Sequence, residues 1–367
     1  MGRLSGLVDR TVNRTALPGR LPASDRAGAL VTGAPAVDLL VGSALFRDSF
    51  VAGAARGHLD LVRARSVGYG VVGLTVATTW PDTRGSLSRW HFRSLGLPSS
   101  AVRSRMAIAD WVIGRIERWC SESGGALVIV RSVGDLERCV AQEGPVGVLL
   151  GVQGGHVLEG DLGNIARLRG LGVRMFAPAH VMDNDVVGSG TGRQGIGVTD
   201  FGREVIAELE AQSVIVDLAH MSVAGIEDAL PLLHRPFVLS HSALRGEASR
   251  PGRLRRYNAT TRNVPEEVAH EVGARGGLVG IVLATQLLGG STLADAVTMI
   301  RRALSVAGEQ NVALGSDMDG ALRMLIDAEG LPALADALLD AGLSESVVSG
   351  FVGGNAVGFL RAALARP

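Results

Sequence analysis

Five short apolar runs each end in a polar residue, and this recurrence constrains the fold more than any other feature of the chain. PVGVLLGVQ closes on Gln153, RMFAPAH on His180, SVIVDLAH on His220, PFVLSH on His241 and NVALGSD on Asp317. A β-strand buried on both faces is written as a continuous Val/Ile/Leu run, so a His or Asp at its end stands where the chain leaves the core. Repeated around one sheet, such endings make a ring of polar groups at one rim. That rim is the candidate site.

Extending the pattern gives eight strand candidates: AVDLLVG, VVGLTVAT, VGVLLGVQ, VRMFAPAH, SVIVDLAH, PFVLSH, GLVGIVLA and NVALGSD, with ALVIVRS as a minor ninth. Helical segments separate them. Between residues 101 and 121, for example, Val102, Met106, Ala109, Ile113 and Ile116 recur in steps of four and three. Strands alternating with helices specify a parallel sheet. Eight such units predict an α/β fold closed into a (β/α)₈ TIM barrel, with an open doubly wound sheet as the rival. In a barrel the site belongs at the C-terminal ends of the strands.

Residues 1–35 are polar and Arg-rich and carry Pro18 and Pro22, which predicts an irregular N-terminal arm before a single barrel domain at 36–367. TWPDTRGSLSRWHFRSLGLPSS reads as a long loop of the kind that often serves function. Asn263, Pro265 and Glu266 resemble a capping-box start to a helix.

Lys+Arg and Asp+Glu both number 36, so the net charge is zero and neither nucleic acid nor a membrane surface is an expected partner. The expected partner is a small molecule, and a homodimer is left open. The start of the chain lacks the apolar segment of a signal peptide, and no run of about 18 apolar residues occurs. A soluble, cytoplasmic protein is expected. Cys120 and Cys139 lie in helical segments outside any CxxC pattern and are read as free thiols.

His220 and His241 close neighbouring strands, where two neutral imidazoles can share one zinc ion. His180 suits a third ligand, an acid/base or a donor to a substrate oxygen, with the anchoring of its loop as the plain alternative. Asp317, in GSDMDG, suits metal binding or proton abstraction from water, and Asp319 the turn that follows. Arg262 suits a carboxylate clamp or a solvated charge. His91, His234 and His270 read as ordinary surface or core residues. His58 and Asp60 form an H-x-D pair, but GHLDLVRARSVGYG leads into a strand, which predicts that the pair sits at the wrong end of the barrel.

These residues together resemble the renal-type (membrane) dipeptidase family, peptidase family M19 of the amidohydrolase superfamily. The resemblance rests on GVLLGVQGGH, LGVRMFAPAHVMDND, GVTDFGREVIAELEAQSVIVDLAHMS, RPFVLSHSALR, TRNVPEE, VALGSDMDG and GGNAVGFLR, in order along the chain. It implies a (β/α)₈ barrel and hydrolysis of dipeptides or related amides by two zinc ions with a bridging hydroxide. It also implies that His220 and His241 ligate one zinc, His180 contacts substrate, Arg262 holds the substrate carboxylate and Asp317 is the catalytic aspartate.

Two departures from the family pattern follow. Gln153 stands where the family has its bridging glutamate, and Leu40 and Gly42 stand where its first strand supplies a His and an Asp. The expectation is therefore a dipeptidase-like hydrolase holding at most one zinc, through His220 and His241 with Gln153 as a weak ligand. A catalytically inactive binding protein is the alternative, and metal-free chemistry using His180 and Asp317 a third reading.

Overall fold

A computed structural model describes residues 11, 13–47, 49–54, 56–79, 89, 91–192, 195–246 and 259–365. Eight parallel strands form its centre: β1 (Ala36–Val41), β2 (Tyr69–Ala77), β3 (Val146–Gln153), β4 (Val173–Ala177), β5 (Ile215–Val216), β6 (Val238–Ser242), β7 (Leu278–Ile281) and β8 (Val312–Leu314). They run in two arcs, β1-β2-β3-β4-β5 and β6-β7-β8. Two seams join the arcs. A parallel bridge of Asp217 with Val238 ties β5 to β6, and one of Val41 with Met318 ties β1 to the chain just past β8. At these seams Leu218 N–H donates to Val238 O and Gly42 N–H to Met318 O, both at 2.7 Å. The ring is closed, as the eight alternating units require. The minor strand Leu127–Ile129 pairs with the start of β3.

The strands are buried along nearly their whole length because both faces are covered. Val37, Leu39, Val71, Leu149, Met175, Leu278 and Ala313 belong to one apolar cluster. A larger cluster joins the strands to helices through Ile113, Ile116, Leu209, Ile300 and Leu334. Side chains alternate along a strand, so Gln153 shares a face with Leu149 and is carried to the mouth. Several helices open on a capping hydroxyl: Ser104, Ser132, Thr199, Ser222 and Thr292 each accept from a backbone N–H of the first turn.

Three expectations change. The stretch before Ala36 is not irregular throughout: Thr15–Leu17 pairs with Met324–Ile326, and Asp25–Gly33 is a helix capped by Ser24 that buries Ala27 and Val31. Its few apolar residues sit on one helical face and find the barrel's flank, which the Arg and Pro content concealed. Asn263 caps no helix. Its Nδ2 donates to Leu244 O and Leu287 O, and Pro265 occupies the cap position before Glu266–Ala274. The H-x-D pair is not at the far end either. GHLD enters a helix first, Leu61–Val67, and only then β2, so His58 and Asp60 lie at the same end as the strand termini.

Residues 80–88 and 90 of the predicted long loop, and 247–258 of the basic loop after β6, fall outside the described residues. Cys120 and Cys139 are free, and burial pushes both thiols up to about 11. The closing stretch Glu345–Leu364 is long and apolar enough to span a membrane. Its Val348, Phe351, Val352, Ala356 and Leu360 are buried in the protein.

Candidate active site at the barrel mouth

The strand ends converge. His220 Nε2 lies 2.9 Å from His241 Nε2, and Gln153 Nε2 lies 3.4 Å from the same His241 nitrogen. The His180 ring stands edge-on to His220, centroids 4.8 Å apart, and His220 has the same separation from His241. Arg262 donates from Nη2 to the His241 carbonyl at 2.8 Å and acts electrostatically on His180, His220, His241 and Asp317. Asp317 is held from behind, its N–H donating to Leu40 O at 3.0 Å. The six residues singled out from the sequence are therefore brought together.

Two of them are strained. His220 (φ 66°) and Asp317 (φ 63°) adopt the left-handed conformation that non-glycine residues avoid. Such backbone persists only where surrounding contacts hold it. Here Gly190 N–H donates to His220 O at 2.7 Å from the loop that follows His180, and that loop is itself pinned by Thr191 Oγ1 to Val181 O.

Burial sets the charges. It drives His220 and His241 well below the usual histidine range, reinforced by Arg262, and brings His180 down to about 4 for the same two reasons. The imidazoles are accordingly neutral at neutral pH and available as ligands or acceptors. Asp317 is pushed up to about 7 by burial, with Arg262 opposing and Asp38 adding. A carboxyl poised there can both take and return a proton near neutrality.

Two buried carboxylates support the rim. Asp217 Oδ1 accepts from Ala219 N and Ser240 N, and its Oδ2 accepts from Ser240 Oγ at 2.5 Å. Ser240 Oγ in turn meets His241 Nδ1 at 2.8 Å. Asp38 repeats the scheme at the other seam: Oδ1 accepts from Leu40 N and Ser316 N, Oδ2 from Ser316 Oγ. There the hydroxyl accepts from Met318 N–H at 3.0 Å, where the first seam has an imidazole. Burial raises both carboxyls, Asp38 to about 6.

The comparisons with known proteins agree with this geometry. The sequence profile of the membrane dipeptidase family (Peptidase family M19) matches residues 25–365. The chain belongs to that family. Its fold is shared by a metallopeptidase from Rhodobacter sphaeroides, solved with a phosphinate mimic of L-Ala-D-Ala, at a TM-score of 0.75 and 23% identity over 90% of this chain and 99% of that one. An amidohydrolase from Pseudomonas aeruginosa gives 0.72 and 21% over 93% and 99%. A probable dipeptidase from the same organism gives 0.74 and 17% over 93% and 98%. Membership in this metallopeptidase family makes the protein a hydrolytic enzyme and implies metal dependence.

The residues present fit a metal on one side of the mouth. Two neutral imidazoles turn Nε2 atoms toward each other, and one of them is braced through Ser240 by a carboxylate, the outer-shell arrangement typical of metal-ligating histidine. They do not fit one on the other side. Leu40 is an apolar side chain, and a Cβ at Gly42 would stand 2.8 Å from Asp319 O and 2.9 Å from Gly320 Cα. Backbone fills the space that a ligand side chain would need. Among the described residues no three His, Cys, Asp or Glu side chains group as a metal cluster.

Other chemistry-bearing residues lay outside the sequence reading. His156 lies beside His180, its Nε2 2.7 Å from Thr79 Oγ1, and burial brings it down to about 3. The GGH that follows Gln153 was its signal. Asp217 and Ser240 were visible as polar interruptions of SVIVDLAH and PFVLSH. His58 and Asp60 do not join the site. Asp319 accepts from His58 N, at 2.7 Å, and Leu59 N, pairs with Arg47 Nη2 at 3.1 Å, and gives its own N–H to His58 Nδ1, while Asp60 caps the helix 61–67. Asp319 is thus a buried anchor with φ 58° and not only a turn residue. A separate cavity of about 930 Å³, lined by Arg235, Phe237, Arg275 and Asn311, opens at the N-terminal end of the strands, away from this chemistry.

Proposed function

We propose that this enzyme hydrolyses the amide bond of a dipeptide or similarly small acyl amide, using a single zinc ion held by His220 and His241. The observation that carries the reading is the asymmetry of the mouth: a facing imidazole pair at the β5–β6 side, with apolar and backbone atoms in the corresponding place beside β1. The family's activity and the dipeptide mimic bound by the Rhodobacter sphaeroides metallopeptidase support the substrate class. A zinc ion, when bound, polarises the amide carbonyl as a Lewis acid and lowers the pKa of water toward neutrality.

The remaining work falls to this chain's own groups. Arg262, anchored on the His241 carbonyl, holds a substrate carboxylate through its guanidinium charge. His180, neutral, donates a hydrogen bond to the carbonyl oxygen as charge develops there. Asp317 takes a proton from the attacking water and returns it to the leaving amine. Gln153 contributes an uncharged amide, so the reaction proceeds without the acidic bridge a second cation would require. A dipeptide panel assayed before and after zinc addition tests the reading. Zinc-dependent cleavage of at least one dipeptide is expected; no cleavage with any divalent metal would refute it.

A further inference from the structure

We infer that Asp217 and Ser240 lock the tautomer of His241, so that its Nε2 lone pair permanently faces the mouth and His220 is the imidazole that changes tautomer when a metal enters. The argument follows the hydrogens. Asp217 is surrounded by donors: two backbone N–H groups reach Oδ1 and the Ser240 hydroxyl reaches Oδ2. An ionised carboxylate is acceptor-only, so this environment matches the charged form. Ser240 has one proton, and it goes to Asp217. Toward His241 Nδ1, at 2.8 Å, the serine oxygen is then left as acceptor, which places the ring proton on Nδ1.

Nε2 of His241 must consequently carry the lone pair. That accounts for its two neighbours in the mouth, since Gln153 Nε2 at 3.4 Å and His220 Nε2 at 2.9 Å are both able to donate to it. His220 therefore bears its proton on Nε2. Its Nδ1 is buried with no partner among the described residues, so no hydrogen bond from behind fixes this ring's tautomer, and a ligand bond at Nε2 can offset the cost of moving the proton to Nδ1. Asp217 and Ser240 are positioning residues in this scheme. The Asp38–Ser316 pair has the same donors but ends on Met318 N–H, and so serves as a built-in control.

The inference rests on the single-metal reading for its purpose but not for its test. Long-range proton–nitrogen correlation spectra of ¹⁵N-histidine-labelled, metal-free protein read the tautomers directly. Expected are His241 protonated at Nδ1 and His220 at Nε2, with zinc moving only the His220 proton. Asp217→Asn, whose amide can donate to Ser240, should turn the hydroxyl toward His241, shift that ring to the Nε2–H form and weaken zinc binding roughly 10- to 100-fold. Asp38→Asn should leave both tautomers unchanged.

His241 protonated at Nε2 in the metal-free wild type would overturn the proposal, as would an unaltered His241 tautomer in a folded Asp217→Asn variant. If that variant does not fold, the wild-type spectrum still decides. The expected tautomers in a protein that binds no zinc would leave the lock standing and defeat the single-metal reading instead.

Discussion

At the β5–β6 seam a buried carboxylate, Asp217, accepts from a serine hydroxyl, and the chain of donors ends on an imidazole. At the β8–β1 seam Asp38 accepts from Ser316, and the same chain ends on the backbone N–H of Met318. Both staples close the barrel where its ladder is thinnest. In the first, the polar pair orients a side chain toward the mouth. In the second the neighbouring positions are Leu40 and Gly42, and the polarity is consumed by the fold itself. A buried polar network can thus serve as architecture beside positions that carry no ligand side chain. One rim then carries an imidazole half, to which the proposed chemistry belongs, and a structural half.

The largest expected effect falls on the imidazole half. Replacing both His220 and His241 by Ala should abolish stoichiometric zinc binding and reduce dipeptide turnover to background, measured by metal analysis and product release. Circular dichroism should show the barrel retained. Retained turnover would remove the imidazole pair from the chemistry.

Next is Asp317→Asn, expected to lower kcat about 10²- to 10⁴-fold, as loss of a general acid–base group does. Its stability effect has a definite sign. A folded-state value of about 7 against 3.8 means the native protein holds this proton over that interval while the unfolded chain does not. Wild-type stability from this group is therefore full below 3.8 and lost as pH rises through about 7. Relative to wild type, Asp317→Asn should gain stability to urea across that window.

Asp38→Asn sharpens the contrast between the seams. It leaves a donor amide among groups that need an acceptor, costing about 1–3 kcal/mol of stability with no change in zinc affinity. Gly42→Ala forces a Cβ to within 2.8 Å of Asp319 O and should destabilise by about 1–3 kcal/mol, read from urea midpoints. For the same reason, writing Leu40→His, Gly42→Asp and Gln153→Glu together should not raise the metal content. A second ion in that triple variant would show that the β8–β1 half had lost only its side chains.

The barrel and the converging strand ends were legible because burial on both faces writes itself as uninterrupted apolar runs, and their terminal residues stand out against them. Gln153, His180, His220, His241, Arg262 and Asp317 were found this way or through resemblance. What escaped depends on partners distant in sequence. Asp38 meets Ser316 and Asp319 meets His58 across most of the chain's length, contacts that no local pattern announces. The sequence points His58 to the wrong end because the seven helical residues between it and β2 carry no signal strong enough to separate them from the strand. The helix Asp25–Gly33 was hidden by the polar residues around its short apolar face.

The central claim is that this barrel mouth seats a cation on the β5–β6 side alone. Zinc per chain, measured by plasma mass spectrometry after equilibration with zinc and removal of the unbound ion, tests it most directly. The account predicts one ion per chain, lost in the His220→Ala/His241→Ala variant. Two ions per chain, or one that survives that double replacement, would contradict it.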